Sequence, residues 1–309
     1  MFDLRGVVAV VTGGGSGIGL MISTTLMSNG ATVYIVDKRS QAQLDKLTKT
    51  YNDAAEKSGK VGRMIGIEGD ISRKAEATRL AAEVGKRTPY ITVLFNNAGI
   101  SRGTYKPPTE HTAAAFQAAY FDAVTEADFD DSMRANAVGA FWMTFAFLPL
   151  LEQWKARGFS ATPNGRKFAP QVVMTSSMNG WTKDPATSSY TFPYLFSKSA
   201  IGHATSTLAH ELLPLGVRVN GIAPGLFLTE MAAPGSSDEL GVSHFTQYDV
   251  FPFKVPCTQP PPADGSRPVP AGSRTDVGAL ALFLVSNWFV NGETVLIDGG
   301  TLLEHASSF

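Results

Sequence analysis

Val7-Val8-Ala9-Val10-Val11-Thr12-Gly13-Gly14-Gly15-Ser16-Gly17-Ile18-Gly19 is the stretch that decides the fold. Its first five residues form an all-apolar run without the alternation of a strand that has one wet face. The run reads as a strand buried on both sides, as in a parallel sheet covered on each face. The glycine-rich turn after it opens a helix predicted over 18–29. That helix stops at Gly30, where a left-handed cap is expected. Backbone N–H groups in such a turn, together with the positive end of the helix dipole, suit a pyrophosphate. Gly13, Gly17 and Gly19, with Ser16 and Ile18 between them, are therefore candidate cofactor contacts. The competing reading is a tight turn that needs glycine only for its backbone angles.

Outward from this stretch the chain keeps one rhythm. Further strands are predicted over 32–36, 63–67, 91–95, 171–175, 217–222 and 294–297. Helices are predicted over 40–58, 73–87, 128–154, 194–213 and 275–286. Strands alternating with helices imply parallel pairing with crossover helices. The predicted fold class is α/β: one doubly wound sheet of seven parallel strands, helices on both faces, in a single domain over 1–309. Two stretches interrupt the rhythm, an insertion over 102–127 and a proline-rich loop over 227–273. Loops of this length in a compact domain are usually functional.

Composition narrows the function classes. The chain has 309 residues, 44% hydrophobic and 17% charged, with a formal net charge of -1. That balance favours neither nucleic acid nor an anionic membrane surface as partner. No apolar run reaches the roughly 20 residues of a membrane helix. Cys257 is the single cysteine, so no intrachain disulfide forms. No cleavable leader pattern precedes the first strand, and the expected location is the cytoplasm. The five histidines show no metal-ligand spacing, and no metal site is expected.

Ligands of open α/β sheets bind beyond the carboxyl ends of the strands, and the polar candidates collect there. Asp37 ends the second strand, 18 residues after Gly19. An acid at this place accepts hydrogen bonds from an adenosine ribose and repels a 2′-phosphate, which favours NAD. Lys38 and Arg39 pull toward NADP, the alternative cofactor. Asp70 ends the third strand, next to Ile71, and either meets the adenine or caps the helix beginning near Arg73. Asn96-Asn97-Ala98-Gly99 ends the fourth. Tyr194 and Lys198 are four residues apart at the start of a helix and share a face. A phenol titrates near pH 10, and a neighbouring ammonium favours its anion. Ser177 lies just past the fifth strand and can hold a substrate oxygen.

Together these residues resemble the short-chain dehydrogenase/reductase family. The family's Thr-Gly-x-x-x-Gly-x-Gly pattern is met by Thr12, Gly13, Gly17 and Gly19, and its Asn-Asn-Ala-Gly motif by residues 96–99. Its helix asparagine matches Asn136, its serine Ser177 rather than Ser176, its tyrosine and lysine Tyr194 and Lys198. Its Pro-Gly turn and nicotinamide-contacting threonine match Pro224, Gly225 and Thr229, and Asp298-Gly299-Gly300 also fits. Residues 172–231 resemble fungal members grouped with ketoacyl-reductase-like proteins. The resemblance implies that Tyr194 exchanges the proton, that Lys198 lowers its pKa and binds ribose, that Ser177 polarises a carbonyl, and that Asn136 positions a water linking Lys198 to solvent. It implies a hydride transfer between NAD, or NADP, and a carbonyl or secondary alcohol. The competing reading is a protein of this fold that binds ligand without redox turnover.

One feature departs from the family. Ser177 and Tyr194 are 17 residues apart, a few more than usual, with the excess in 184–193. Tyr190 restores the usual interval but has Tyr194 four residues later instead of lysine, so it is rejected as the base and read as a pocket residue. The 227–273 loop is expected to cover the substrate, as in the family. Phe227, Phe245, Tyr248, Phe251 and Phe253 on it, with Tyr105, Phe116, Tyr120 and Phe121 on the insertion, suggest a bulky, apolar small-molecule substrate; equally, they pack the loops onto the body. Met143, Phe145 and Phe147 are expected in the core. A homo-oligomer, dimer or tetramer, built through the helices near 128–154 and 194–213 is what the resemblance implies.

Overall fold

Strand β1 (Val8–Thr12) is buried along its whole length. Its side chains divide between two cores: Ala9 and Val11 enter one hydrophobic cluster, Val8 and Val10 the other. An all-apolar sequence on a backbone of period two forces that division and demands a covering layer on each face. The structure is a computed structural model in which residues 2–103, 105–156, 168–244, 253–257 and 270–309 are described. Phe245, Tyr248 and Phe251, expected over the substrate, lie outside the described residues.

Strands β2 (Thr32–Asp37), β3 (Arg63–Glu68), β4 (Val93–Asn96), β5 (Gln171–Thr175), β6 (Arg218–Pro224) and β7 (Thr294–Ile297) complete a seven-stranded sheet in the order β3-β2-β1-β4-β5-β6-β7. Every pairing is parallel, as the alternating sequence predicts. The strand order reverses between β1 and β4, which opens a crevice at their carboxyl ends.

Helices α1 (Gly17–Ser28) and α2 (Gln41–Lys57) cover one face together with α8 (Arg274–Ser286), through Leu26, Leu44 and Val277. Helices α3 (Lys74–Gly85), α6 (Gly139–Ala156) and α7 (Phe192–Glu211) cover the other, through Leu80, Phe147 and Ile201. Gly30 caps α1 at φ 102°, as expected from its place in the sequence. Met143 and Phe147 are fully buried, but Phe145 remains 38% exposed. It lies two residues from each, about 200° around the helix, and faces outward.

The 102–127 insertion is not structureless. It carries a short helix α4 (Ala113–Gln117) prolonged by a π-turn (Ala118–Asp122). Helix α5 (Glu126–Met133) starts on a Thr125–Asp128 capping box and joins α6 through a second π-turn, Arg134–Val138. The helical run Glu126–Ala156 is long and apolar enough, by length and composition only, to cross a membrane. Here Met143, Phe147, Leu151 and Trp154 pack into the protein with no exposed surface. The chain closes with helix α9 (Thr301–Glu304).

Candidate active site

The glycine turn is shaped by what it cannot accommodate. Gly13 adopts φ 63° and a Cβ there would sit 2.9 Å from the Ala98 Cα. A Cβ on Gly19 would overlap the Gly13 carbonyl oxygen. Gly17 adopts φ 49°, with Thr229 against it. Ser16 makes no side-chain cap to α1, so the N–H groups of the first turn remain for an anionic ligand. Thr12 ties this turn to the end of β4: its hydroxyl accepts from Asn97 N–H at 2.9 Å and Ala98 N–H at 3.0 Å, and the Asn97 amide donates to its carbonyl at 3.1 Å. A narrow cradle with free donors beside a switch point fits a dinucleotide pyrophosphate. Gly19→Ala is expected to cost about 1–3 kcal/mol through overpacking, read as a lower urea midpoint with the slope unchanged.

Asp37 ends β2 facing this turn. One carboxylate oxygen accepts from Gly15 N–H at 3.0 Å and the other from Arg39 N–H at 3.1 Å. Asp70 does not cap α3, whose N-cap is Arg73 with no side-chain cap bond. It accepts from Ser72 N–H at 3.0 Å and pairs with Lys38 at 3.1 Å. Burial pushes its carboxyl up, but the Ser72 bonds and Lys38 outweigh that and hold it below the usual range. Lys38 is thereby turned toward Asp70. The Arg39 stem lies over Gly15 instead, 3.4 Å from where a Cβ would stand. Ile71 is 6% exposed, packed against Gly139 of α6.

Across the crevice, β5 and α7 present the reactive candidates. Ser177 is 5% exposed; its hydroxyl accepts from Asn179 N–H at 3.1 Å and lies 3.4 Å from the Pro224 carbonyl. Ser176 points elsewhere, donating to the Lys198 carbonyl at 2.9 Å. Gly180 lets this turn lie against α7, since a Cβ there would be 2.8 Å from the same carbonyl. At β6, Gly225 lets the chain lie against Asp298, 2.6 Å from where its Cβ would stand, joining the Pro-Gly turn to the closing Asp298-Gly299-Gly300.

Tyr194 and Lys198 share one face of α7, with the lysine Nζ 5.7 Å from the tyrosine ring centroid. Lys198 is 4% exposed and donates to the Thr175 carbonyl at 2.9 Å. Burial pushes the ammonium down to about 8. Burial also raises the Tyr194 phenol above its ordinary value, opposed by a hydrogen bond with Ser177. In the unliganded chain the Lys198 ammonium is committed to the Thr175 carbonyl. The phenol, raised by burial, keeps its proton at neutral pH.

Asn136 sits inside the second π-turn, 2% exposed. Its amide donates to the Ile100 carbonyl at 2.8 Å and to the Ser197 hydroxyl at 2.9 Å, and its oxygen accepts from Ile100 N–H at 2.7 Å. A Cβ on Gly99 would stand 3.1 Å from the Asn136 oxygen and 3.4 Å from Lys198 Nζ, so glycine keeps the space between them open. Ser197, Thr175 and Asn179 thus hold the candidate residues in place. No motif in the sequence marks them; they are ordinary polar residues whose partners come from other elements.

The excess residues before Tyr194 form a short 3-10 turn, Pro185–Ser188, then Ser189 and Tyr190 at φ 54° and 61°. Left-handed backbone at non-glycine residues costs about 1–2 kcal/mol each. Thr187 of this stretch reaches the Asn179 side chain at 2.8 Å, so the added length packs beside the turn that follows β5. Tyr190 faces the 102–127 insertion: Tyr120 is raised first by burial and then by Tyr190. Tyr105 N–H donates to the Ser189 carbonyl at 3.4 Å, and its phenol, bonded to Asp128 at 2.9 Å, is pushed up to about 12 by burial and that carboxylate. Tyr105 and Phe227 are 7% and 3% exposed and pack within the protein.

Known proteins resemble this chain over its whole length. Residues 7–240 match the short chain dehydrogenase family. The chain is 32% identical to short-chain dehydrogenase/reductase PhomF of Diaporthe leptostromiformis, covering 100% of this chain and 96% of that protein. It is 30% identical to short-chain dehydrogenase/reductase VdtF of Byssochlamys spectabilis, covering 100% and 97%. A solved active-site complex of Pseudomonas aeruginosa RhlG with NADP superposes at TM-score 0.72 with 26% identity, covering 97% of this chain and 98% of that one. The chain belongs to the short-chain dehydrogenase/reductase family, and is an NAD(P)-dependent oxidoreductase acting on alcohol or carbonyl groups.

Proposed function

We propose that Tyr194 is the acid/base of a hydride transfer between nicotinamide and a bulky, largely apolar carbonyl compound or its secondary alcohol. The observation that carries this is the placing of Tyr194 and the buried Lys198 on one face of α7, with the lysine Nζ 5.7 Å from the ring centroid and Ser177 buried at the end of β5. When bound, the nicotinamide supplies or takes up the hydride. Ser177 and the Tyr194 hydroxyl converge on the oxygen of the reacting group. The protonated phenol is ready to donate to a carbonyl oxygen. Lys198 serves as the cation that steadies the phenolate left behind. Asn136, bonded to the 100 peptide, orients the approach to Lys198.

Gly13, Ser16, Gly17, Ile18 and Gly19 hold the pyrophosphate in this reading. Asn97, Gly99, Pro224, Gly225 and Thr229 surround the nicotinamide, while Asp70 and Ile71 flank the adenine. Asp37 favours NAD, because Lys38 is engaged by Asp70 and leaves Arg39 as the nearby cation. Two like charges about 4 Å apart repel by roughly 4 kcal/mol at an effective dielectric of 20, an upper bound at this partly exposed site. Asp37→Ala should move the NADP-to-NAD affinity ratio by about tenfold to a hundredfold toward NADP. Fluorescence titration with both reduced cofactors checks it, and an unmoved ratio would remove Asp37 from the ribose site.

The 227–273 loop covers the substrate in this reading. Phe116 and Phe121, 46% and 75% exposed, and the Tyr120–Phe192 edge contact at 5.1 Å supply its apolar surroundings. NADH oxidation at 340 nm with 9,10-phenanthrenequinone against butanedione tests the size preference; faster turnover of the small diketone would overturn it. Exposed Phe141, Phe145 and Phe196 on α6 and α7 support a homo-oligomer, which sedimentation measures. The cytoplasm is the setting we assign, consistent with the free, exposed thiol of Cys257.

A further inference from the structure

Three segments meet at the imidazole of His305, just beyond α9. Its Nδ1 lies 2.7 Å from an Asp184 carboxylate oxygen, and the side chain is 16% exposed. Its ring stands edge-on to Phe253, centroids 6.3 Å apart. The tail around it runs antiparallel to the segment after Gly180. Lys183 N–H donates to the Ala306 carbonyl at 2.6 Å and Ser308 N–H to the Trp181 carbonyl at 2.8 Å. Thr182 bridges Ser307, and Phe309 packs on Trp181 at 5.0 Å.

From Asp184 the bonds lead inward to the reacting edge. Thr187 N–H donates to the Asp184 carbonyl at 3.2 Å. The Thr187 hydroxyl, buried, donates to the Asn179 oxygen at 2.8 Å, and Asn179 N–H donates to Ser177 Oγ at 3.1 Å. On the other side, Cys257 N–H donates to the Gly299 carbonyl at 2.8 Å, which fastens the stretch beginning at Phe253 to the same terminus. Neither Asp184 nor His305 belongs to any motif that marks the family. Asp184 opens the excess segment between Ser177 and Tyr194, so a partner for it would be superfluous in a chain of the usual interval.

We propose that His305 is a positioning residue: through Asp184 it sets the orientation of Ser177, and through Phe253 it holds the 253–257 stretch of the loop read above as the substrate cover. This rests on the acid/base reading above for its kinetic consequences, but not for its structural ones. The two arms separate by substitution. His305→Phe keeps a ring against Phe253 and loses the bond to Asp184. His305→Asn places an amide donor near the Nδ1 position and loses the ring.

Hydrogen–deuterium exchange of the full chain reads the outcome without any substrate. His305→Phe should speed exchange about tenfold over 181–188 and leave 254–257 protected, whereas His305→Asn should do the reverse. Asp184→Ala should reproduce the His305→Phe pattern. With 9,10-phenanthrenequinone as probe, His305→Phe should act on kcat, falling about tenfold, and His305→Asn on KM, rising about fivefold. Equal acceleration of both segments by both variants, or acceleration of neither, overturns the proposal. A quinone that no variant or wild type turns over would count against the acid/base reading, and the exchange pattern alone would then decide the role of His305.

Discussion

Tyr194→Phe is expected to lower kcat about 10³-fold while NADH binds within about threefold of wild type. The substitution removes one hydroxyl and keeps the ring beside Lys198 Nζ. In the proposed reaction it deletes the proton donor. Single-turnover reduction at 340 nm, with cofactor affinity titrated separately, isolates the chemical step. If turnover survives at a tenth of wild type or better, the proton comes from elsewhere, and Ser177 or solvent becomes the candidate.

Lys198→Met is expected to abolish most activity and to stabilise the fold. The ammonium is held at about 8 by burial, against an ordinary value of 10.5. Between those two pH values the unfolded chain binds more protons than the native one, so native stability rises with pH across that window. Below pH 8 the cost is fully present, and at about 1.4 kcal/mol per pH unit it amounts to roughly 3 kcal/mol. Methionine matches the stem and carries no charge. Urea melts of wild type and variant should differ by up to this amount at pH 7 and converge above about pH 10.5. Equal stabilities at pH 7 would mean that the buried amine is solvated after all. The lost activity paired with gained stability is the pattern expected where a functional charge is kept at a structural cost.

The legibility of each part in the sequence tracks the physics that forms it. The sheet is readable because β1 and β5 are largely apolar runs bounded by glycine, proline and polar residues, and burial on both faces leaves few other interpretations. The glycine turn is readable because steric exclusion writes itself into the sequence, as at Gly19. The tyrosine–lysine pair is readable because helical spacing brings positions four apart together. Tertiary polar contacts are not. Thr12 reaching Asn97, Ser197 reaching Asn136 and Asp184 reaching His305 join positions far apart in the chain, and no local pattern encodes them. The direction of the Tyr194 shift is also hidden, since it depends on how much water the fold excludes and not on which residue stands four positions on. The place of Phe145 turns on a helical phase that a list of apolar residues does not express.

The wide turn at Arg134–Val138 has a bearing on which lengths this helix can have. A π-turn accommodates one residue more than an α-turn over the same rise. Each residue added or removed in an α-helix rotates the remainder of the helix by about 100°. The screw of α6 therefore meets the sheet with Ala140, Met143, Phe147 and Leu151 only because the surplus residue has already been absorbed upstream. Excising Ala137 would straighten the coil and force a choice. Either Asn136 swings off the Ile100 peptide, or the apolar ridge of α6 turns toward solvent and the outward phenylalanines turn in. The residues added before α7 were taken up by a 3-10 turn and two left-handed residues, and those after β4 by a short helix with its own π-turn. A residue lost from this turn would uncouple Asn136 from the packing of α6.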